Sequence, residues 1–176
     1  EIQKLTASDG AANDYFGEAV AISGNYVVIG SMYDDDSAIG GGSVYIFKND
    51  GNDVYTEIQK LTASDAASSD RFGTSVSIDG NYAVIGVNYD DDNGSDSGSA
   101  YIFKNNGSDV YTEIQKLTAS DAAGGDYFGY SVSVDGNYAV IGAWGNDSGS
   151  GSAYIFKNNG SDTFTEIQKL TASDAN

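Results

Sequence analysis

The nine residues EIQKLTASD occupy Glu1–Asp9 and return at Glu57–Asp65, Glu113–Asp121 and Glu166–Asp174. Their starts lie 56, 56 and 53 residues apart. Self-similarity at such a period marks an architecture of repeated modules, each too small to bury its own apolar surface. The same programme follows each of the first three copies. It runs Phe-Gly (Phe16-Gly17, Phe72-Gly73, Phe128-Gly129), then Gly-Asn-Tyr (Gly24–Tyr26, Gly80–Tyr82, Gly136–Tyr138) and Val-Ile-Gly (Val28–Gly30, Val84–Gly86, Val140–Gly142). An acidic or Gly/Ser loop leads on to Tyr-Ile-Phe-Lys (Tyr45–Lys48, Tyr101–Lys104, Tyr154–Lys157).

Each unit reads as four short strands. The first covers 18–23, 74–79 or 130–135, where Val and Ile alternate with Ser in the later copies, the period of two that marks a strand. The second, Asn25–Gly30 and its copies, is a continuous β-branched run, as in a strand covered on both faces. Ser-Gly-Asn or Asp-Gly-Asn between them is tight-hairpin chemistry. The third strand covers 43–48, 99–104 or 152–157, and turn-rich NDGND or NNGSD precedes the fourth, 54–63 and its copies. In the fourth, Ile58 and Leu61 lie three apart, which breaks the alternation and predicts a bulge or a twist. Its Glu57, Gln59 and Lys60 suit an exposed edge. No segment keeps a helical period. The reading is all-β: β-propeller blades of four antiparallel strands, three full blades plus one extra strand. Residues 1–15 are an outer strand of a preceding blade plus linker, 16–71 blade 1, 72–127 blade 2 and 128–176 blade 3. The aromatic and branched residues are read as the material packed between blades.

With Phe-Gly, Gly-Asn-Tyr and Val-Ile-Gly in register, the sequence resembles the FG-GAP repeat, the propeller repeat of integrin α-subunit heads and of many bacterial secreted and surface proteins. Gly86-Val87 and Gly142-Ala143-Trp144 stand where "GAP" would be, without the Pro. The resemblance implies an extracellular or cell-surface location and a role in adhesion, ligand display or scaffolding. It also implies a calcium loop between strands one and two, but one carboxylate at most stands there, against the six to eight oxygens Ca²⁺ takes.

Composition excludes several chemistries. Cys, His and Pro are absent, so no thiolate or imidazole serves as nucleophile, base or zinc ligand. Eight basic against 26 acidic residues give a net charge of −18, which argues against nucleic acid and anionic lipid as partners. No apolar run approaches the roughly 20 residues of a membrane span. The expectation is a protein that is not an enzyme. A start at Glu1 without Met suggests a processed form or a piece of a longer protein.

The carboxylates gather on one side. Loops between strands two and three carry Asp34, Asp35 and Asp36, then Asp90, Asp91 and Asp92, then Asp147. Loops joining strand four to the next blade carry Asp9 and Asp14, Asp65 and Asp70, Asp121 and Asp126. In an up-and-down blade both loops emerge on the same face, where like charges need water or a cation. The expectation is a Ca²⁺ site stapling these loops. The alternatives are plain turn chemistry and a face that binds a partner. Trp144, the single Trp, is the candidate for stacking on a ligand such as a sugar. Asn-x-Ser sequons at Asn93, Asn106, Asn146 and Asn159 read as turn chemistry.

Propellers close with four to eight blades, and three leave apolar faces wet. The expected partner is therefore a further copy, in an oligomer or polymer, or the remainder of a longer propeller. The leading functional reading is a structural or adhesion scaffold, calcium-stabilised and self-assembling. The second is a lectin-like propeller binding an extracellular protein or a glycan.

Overall fold

The computed structural model describes residues 1–174; the last two positions of the third blade's expected range, 175 and 176, lie outside the described residues. Twelve strands form three four-stranded antiparallel sheets. The first holds β1 (Val20–Ser23), β2 (Tyr26–Ser31), β3 (Ser43–Asn49) and β4 (Tyr55–Leu61), in that order. The second holds β5 (Ser75–Asp79), β6 (Tyr82–Val87), β7 (Ser99–Asn105) and β8 (Tyr111–Leu117). The third holds β9 (Phe128–Asp135), β10 (Tyr138–Ala143), β11 (Ser152–Asn158) and β12 (Phe164–Thr171). All-β blades are thus the architecture. One short turn of helix, α1 (Asn146–Gly149), interrupts it, and left-handed Asp147 and Ser148 make it a tight loop turn.

The bulge falls where the spacing of Ile58 and Leu61 predicts it. Ile46 pairs with Gln59 and Phe47 with Glu57, so Ile58 is the unpaired residue. The same shift recurs in the other two blades. It turns Ile58 and Leu61 toward one face, where both meet the core between blades 1 and 2.

Each sheet has two apolar faces, and where two blades meet each covers a face of the other. Val28, Val44, Ile46 and Leu61 of blade 1 pack on Phe72, Ile78, Ile85 and Phe103 of blade 2. Their counterparts Val84, Ile102 and Leu117 pack on Phe128, Val134, Ile141 and Phe156 of blade 3. In β6 and β7 of the middle blade, alternation sends Ile85, Val87, Tyr101 and Phe103 toward blade 1 and Val84, Ala100 and Ile102 toward blade 3. Burying side chains of this size contributes roughly 1.5–3 kcal/mol apiece, so the interfaces between sheets, and not the ladders within them, are the hydrophobic core. Backbones also approach closely. A Cβ on Gly30 would strike the Gly73 carbonyl oxygen, and one on Gly86 the Gly129 carbonyl oxygen. The Val-Ile-Gly glycines are therefore sockets for the next blade's Phe-Gly.

Residues 1–7 join no ladder, yet they lie where a preceding blade's outer strand would. Gln3 exchanges two hydrogen bonds with the Tyr55 backbone, as Gln59 does with Tyr111 and Gln115 with Phe164. Leu5 and Ala7 pack on the Ile29, Tyr45 and Phe47 cluster.

Candidate functional site

The structure brings the two sets of acidic loops together, and a lysine stands at the centre of each meeting point. Lys116 on β8 points its Nζ at Asp65, Asp90 and Asp92, at 2.8, 2.7 and 2.6 Å. Lys60 on β4 does the same with Asp9, Asp34 and Asp36, at 2.8, 3.0 and 2.6 Å. Strand four carries the lysine, the loop between strands two and three carries two aspartates, and the segment arriving from the previous unit carries the third. Each clasp therefore ties a blade to the segment before it.

A tyrosine closes each clasp from below. Tyr45 hydroxyl donates toward Asp9 and Asp34, and Tyr101 toward Asp65 and Asp90. The lysines also lie over the tyrosine rings, 5.2 Å from the centroids. Electrostatics follow from this geometry. The Lys60 hydrogen bond holds the Asp9 carboxyl below the usual range. Burial pushes Asp65 up, but the Lys116 and Tyr101 hydrogen bonds outweigh it and leave the pKa lowered. Asp34 shows the same balance, with Lys60, a backbone N–H, Tyr45 and Ser43 against burial. Burial pulls Lys60 and Lys116 down, and their carboxylates more than reverse it. Burial, reinforced by the neighbouring aspartates, holds both tyrosines in the neutral form well above their usual range.

The third clasp is weaker by sequence. Asn146 stands where blades 1 and 2 have Asp34 and Asp90, and the loop is three residues shorter. Lys169 finds only Asp121 and Asp147, at 2.7 and 2.8 Å, with Tyr154 donating to Asp121. Asn146 instead donates to buried Asp126.

The other expected ligands are not part of the clasps. Asp14, Asp70 and Asp126 accept the backbone N–H of the residue three before them, Ala11, Ala67 and Ala123. They are turn residues sealed under the linker, and desolvation raises the Asp70 pKa. Asp35 and Asp91 accept the Gly40 and Asp96 N–H inside their own loops. The sequon residues Asn106 and Asn159 likewise cap their own turns.

Asp65, Asp90 and Asp92 can bring three carboxylate oxygens within 4.8 Å of one another, the one such acidic group among the described residues. Lys116 Nζ stands at the point on which the three carboxylates converge. A divalent ion there would have to expel that ammonium first, and would then draw on the carboxylate oxygens it leaves behind.

A second clasp binds the opposite ends of the blades. Lys48 Nζ lies 2.7 Å from Asp109 of blade 2, which also accepts from Tyr26. Lys104, Tyr82 and Asp162 repeat it between blades 2 and 3. Between the two, Glu113 accepts both the N–H and the hydroxyl of Ser64, as Glu57 does for Ser8 and Glu166 for Ser120. Reading the carboxylates alone misses the lysines. Their signal is in the sequence: all seven sit at only two positions of the repeat, in EIQK and in YIFK.

Trp144 stacks on Tyr127 with ring centroids 4.6 Å apart. It ends a run of planar groups along the blades: Tyr15 on Tyr33, Arg71 between Tyr33 and Tyr89, Tyr127 between Tyr89 and Trp144. Tyr15, Arg71 and Tyr127 all take left-handed backbone, with φ of 55°, 63° and 54°. That conformation sends the side chain into this run while the next residue, Phe, enters the core between blades. One face of Trp144 is therefore already covered.

The FG-GAP repeat profile matches residues 1–47, 55–103 and 111–156. No curated protein matches the chain.

Proposed function

This chain belongs to the FG-GAP repeat family, and from that premise we propose that it is a non-enzymatic structural scaffold of the cell surface or extracellular space, built to display or space partners in adhesion. One observation carries the reading. At both junctions between blades the same lysine, tyrosine, serine, glutamine and carboxylate side chains hold one blade to the next, as in Lys116–Asp65, Lys48–Asp109, Gln59–Tyr111 and Glu113–Ser64. Catalytic pairs break repeat symmetry; these groups preserve it. Lysines act as internal counter-ions where the sequence suggests calcium, so stability does not depend on a metal. Among the described residues no helix is long and apolar enough to cross a membrane.

The test is a glycan and matrix-protein array together with a panel of glycoside and ester substrates. The scaffold reading predicts no turnover and no saturable glycan binding. The second reading, a lectin-like propeller, rests on the exposed outer face of Trp144. Glycan binding abolished by Trp144→Ala would establish it in place of the first.

A further inference from the structure

We propose that the two open faces of this chain are the two halves of one interface, so that a second copy seats its blade 1 on the blade 3 face of the first. The inference deepens the scaffold reading and rests on it, by naming the partner and the surfaces.

The receiving half is a groove of about 490 Å³ over Gly142, Ala143, Gly151, Ser152, Trp144 and Leu170. In blade 1 the corresponding Gly30, Gly42 and Ser43 receive Phe72-Gly73 of the next blade. In blade 2, Gly86, Gly98 and Ser99 receive Phe128-Gly129. On blade 3 nothing from another blade meets the Cβ position of Gly142. Leu170 is 41% exposed, whereas its counterparts Leu61 and Leu117 are 3% and 2% exposed.

The inserting half is at the other end of the chain. The Cβ position of Gly17 meets nothing within 4 Å, whereas Gly73 and Gly129 each lie against a serine carbonyl of the preceding blade. Val20 and Ile22 are exposed, whereas their counterparts Val76 and Ile78 pack into the core. The planar run is open at both ends too, with Tyr15 57% and Trp144 53% exposed. Seated as the internal blades are, Tyr15 of one copy covers the free face of Trp144 of the other. Charge agrees: Lys157 is in the position from which Lys48 and Lys104 reach Asp109 and Asp162, and Asp53 of the incoming copy is the matching carboxylate. This is continuity with an interface the molecule already makes twice.

One segment stands in the way. Residues 1–9 occupy on blade 1 the place that β12 of the other copy would take, through Gln3 on the Tyr55 backbone and Ser8 on Glu57. The segment is a cap that imitates a neighbour's outer strand, and docking exchanges it for the equivalent Gln168 and Ser173. A head-to-tail contact of this kind closes into a ring or runs on as a filament.

Sedimentation of the full chain, with Trp144 emission followed over the same concentrations, tests this. The mass is expected to rise above the 18.3 kDa monomer, with a blue shift of Trp144 on the same curve. Leu170→Asp and Ile22→Asp, both at exposed positions, should each be monomeric alone. Mixed, they should form a one-to-one dimer that grows no further, because each keeps one intact face. Gln3→Ala with Ser8→Ala removes three exposed side-chain hydrogen bonds of the cap and should tighten association about tenfold, at roughly 0.5 kcal/mol apiece. A folded chain that stays at 18.3 kDa even with the cap loosened overturns the proposal. So does association that either aspartate variant retains alone, or that leaves Trp144 unchanged. None of these outcomes bears on the array and turnover measurements, so the scaffold reading fails or stands separately.

Discussion

Replacing Lys116 by Met removes the charge of one clasp while keeping the apolar stem over Tyr101. Three carboxylates then face one another. Asp90 is the costly one: its side chain is 4% exposed, and it keeps only a 3.3 Å hydrogen bond from Tyr101 and a backbone N–H from Asp92. Stranding a buried charge costs about 3–5 kcal/mol, and the partial exposure of Lys116 places this pair at the lower end. Asp65 and Asp92 are 44% and 62% exposed, so they add about 0.5 kcal/mol each at most. Loss of the ammonium over the Tyr101 ring adds about as much again. The sum is about 3.5–5 kcal/mol, or roughly 7–20 °C in midpoint for a chain of this size. Lys169→Met is the internal control. Its two carboxylates are both well exposed, so the cost is about 1 kcal/mol or less. Differential scanning calorimetry of the two variants reads the contrast directly. A second arm adds millimolar Ca²⁺, which should restore part of the midpoint only in Lys116→Met, where the carboxylates are left without their ammonium. Equal losses in the two variants, or a Lys116→Met loss below about 1 kcal/mol, would refute the reasoning.

Leu117→Ala should cost about 2–5 kcal/mol because it opens a cavity between blades 2 and 3, whereas Leu170→Ala at the open face should cost under about 1 kcal/mol; urea unfolding compares them. Gly86→Ala forces a Cβ into the Gly129 carbonyl and should destabilise by about 1–3 kcal/mol or more. Gly142→Ala meets only the movable Ser131 hydroxyl and should be nearly silent in the monomer. For pH, the lowered carboxylates Asp9, Asp34, Asp65, Asp121, Asp109 and Asp162 contribute stability above their unfolded value and lose it as pH falls through the folded one. Asp70, raised by burial, works weakly the other way. The raised lysines and tyrosines contribute fully below their unfolded values and lose stability as pH climbs above them. The midpoint should therefore be flat between about pH 5 and 9.5, and should fall below about pH 4 and above about pH 10. A midpoint that rises on acidification from pH 5 to 3 would contradict the clasps.

The repeat made the blades legible, because a strand period of two, Gly-Asn turns and the Ile58–Leu61 spacing are local signals with local causes. Even the meeting of the two acidic loops follows from up-and-down topology. What stayed hidden is what answers the acid. Lys116 is 51 residues from Asp65 and 26 from Asp90, and no local pattern says that the bulge in strand four aims it there. A lysine on a polar edge strand reads as solvated, and only the assembled blade turns it inward. The aromatic run was hidden for a similar reason. Tyr15, Arg71 and Tyr127 look interchangeable only once their shared left-handed backbone places all three between neighbouring loops. Trp144, read as a stacking platform for a ligand, finds its first partner within the chain in Tyr127.

The central claim is that lysine holds the acidic loops between blades. Calorimetry of the unaltered protein in EDTA and again in millimolar Ca²⁺ tests it most directly. The clasps predict the same midpoint in both, since Lys60 and Lys116 already stand where an ion would have to bind the folded state. A midpoint several degrees higher in Ca²⁺ would mean that a metal, and not Lys60 and Lys116, joins these loops.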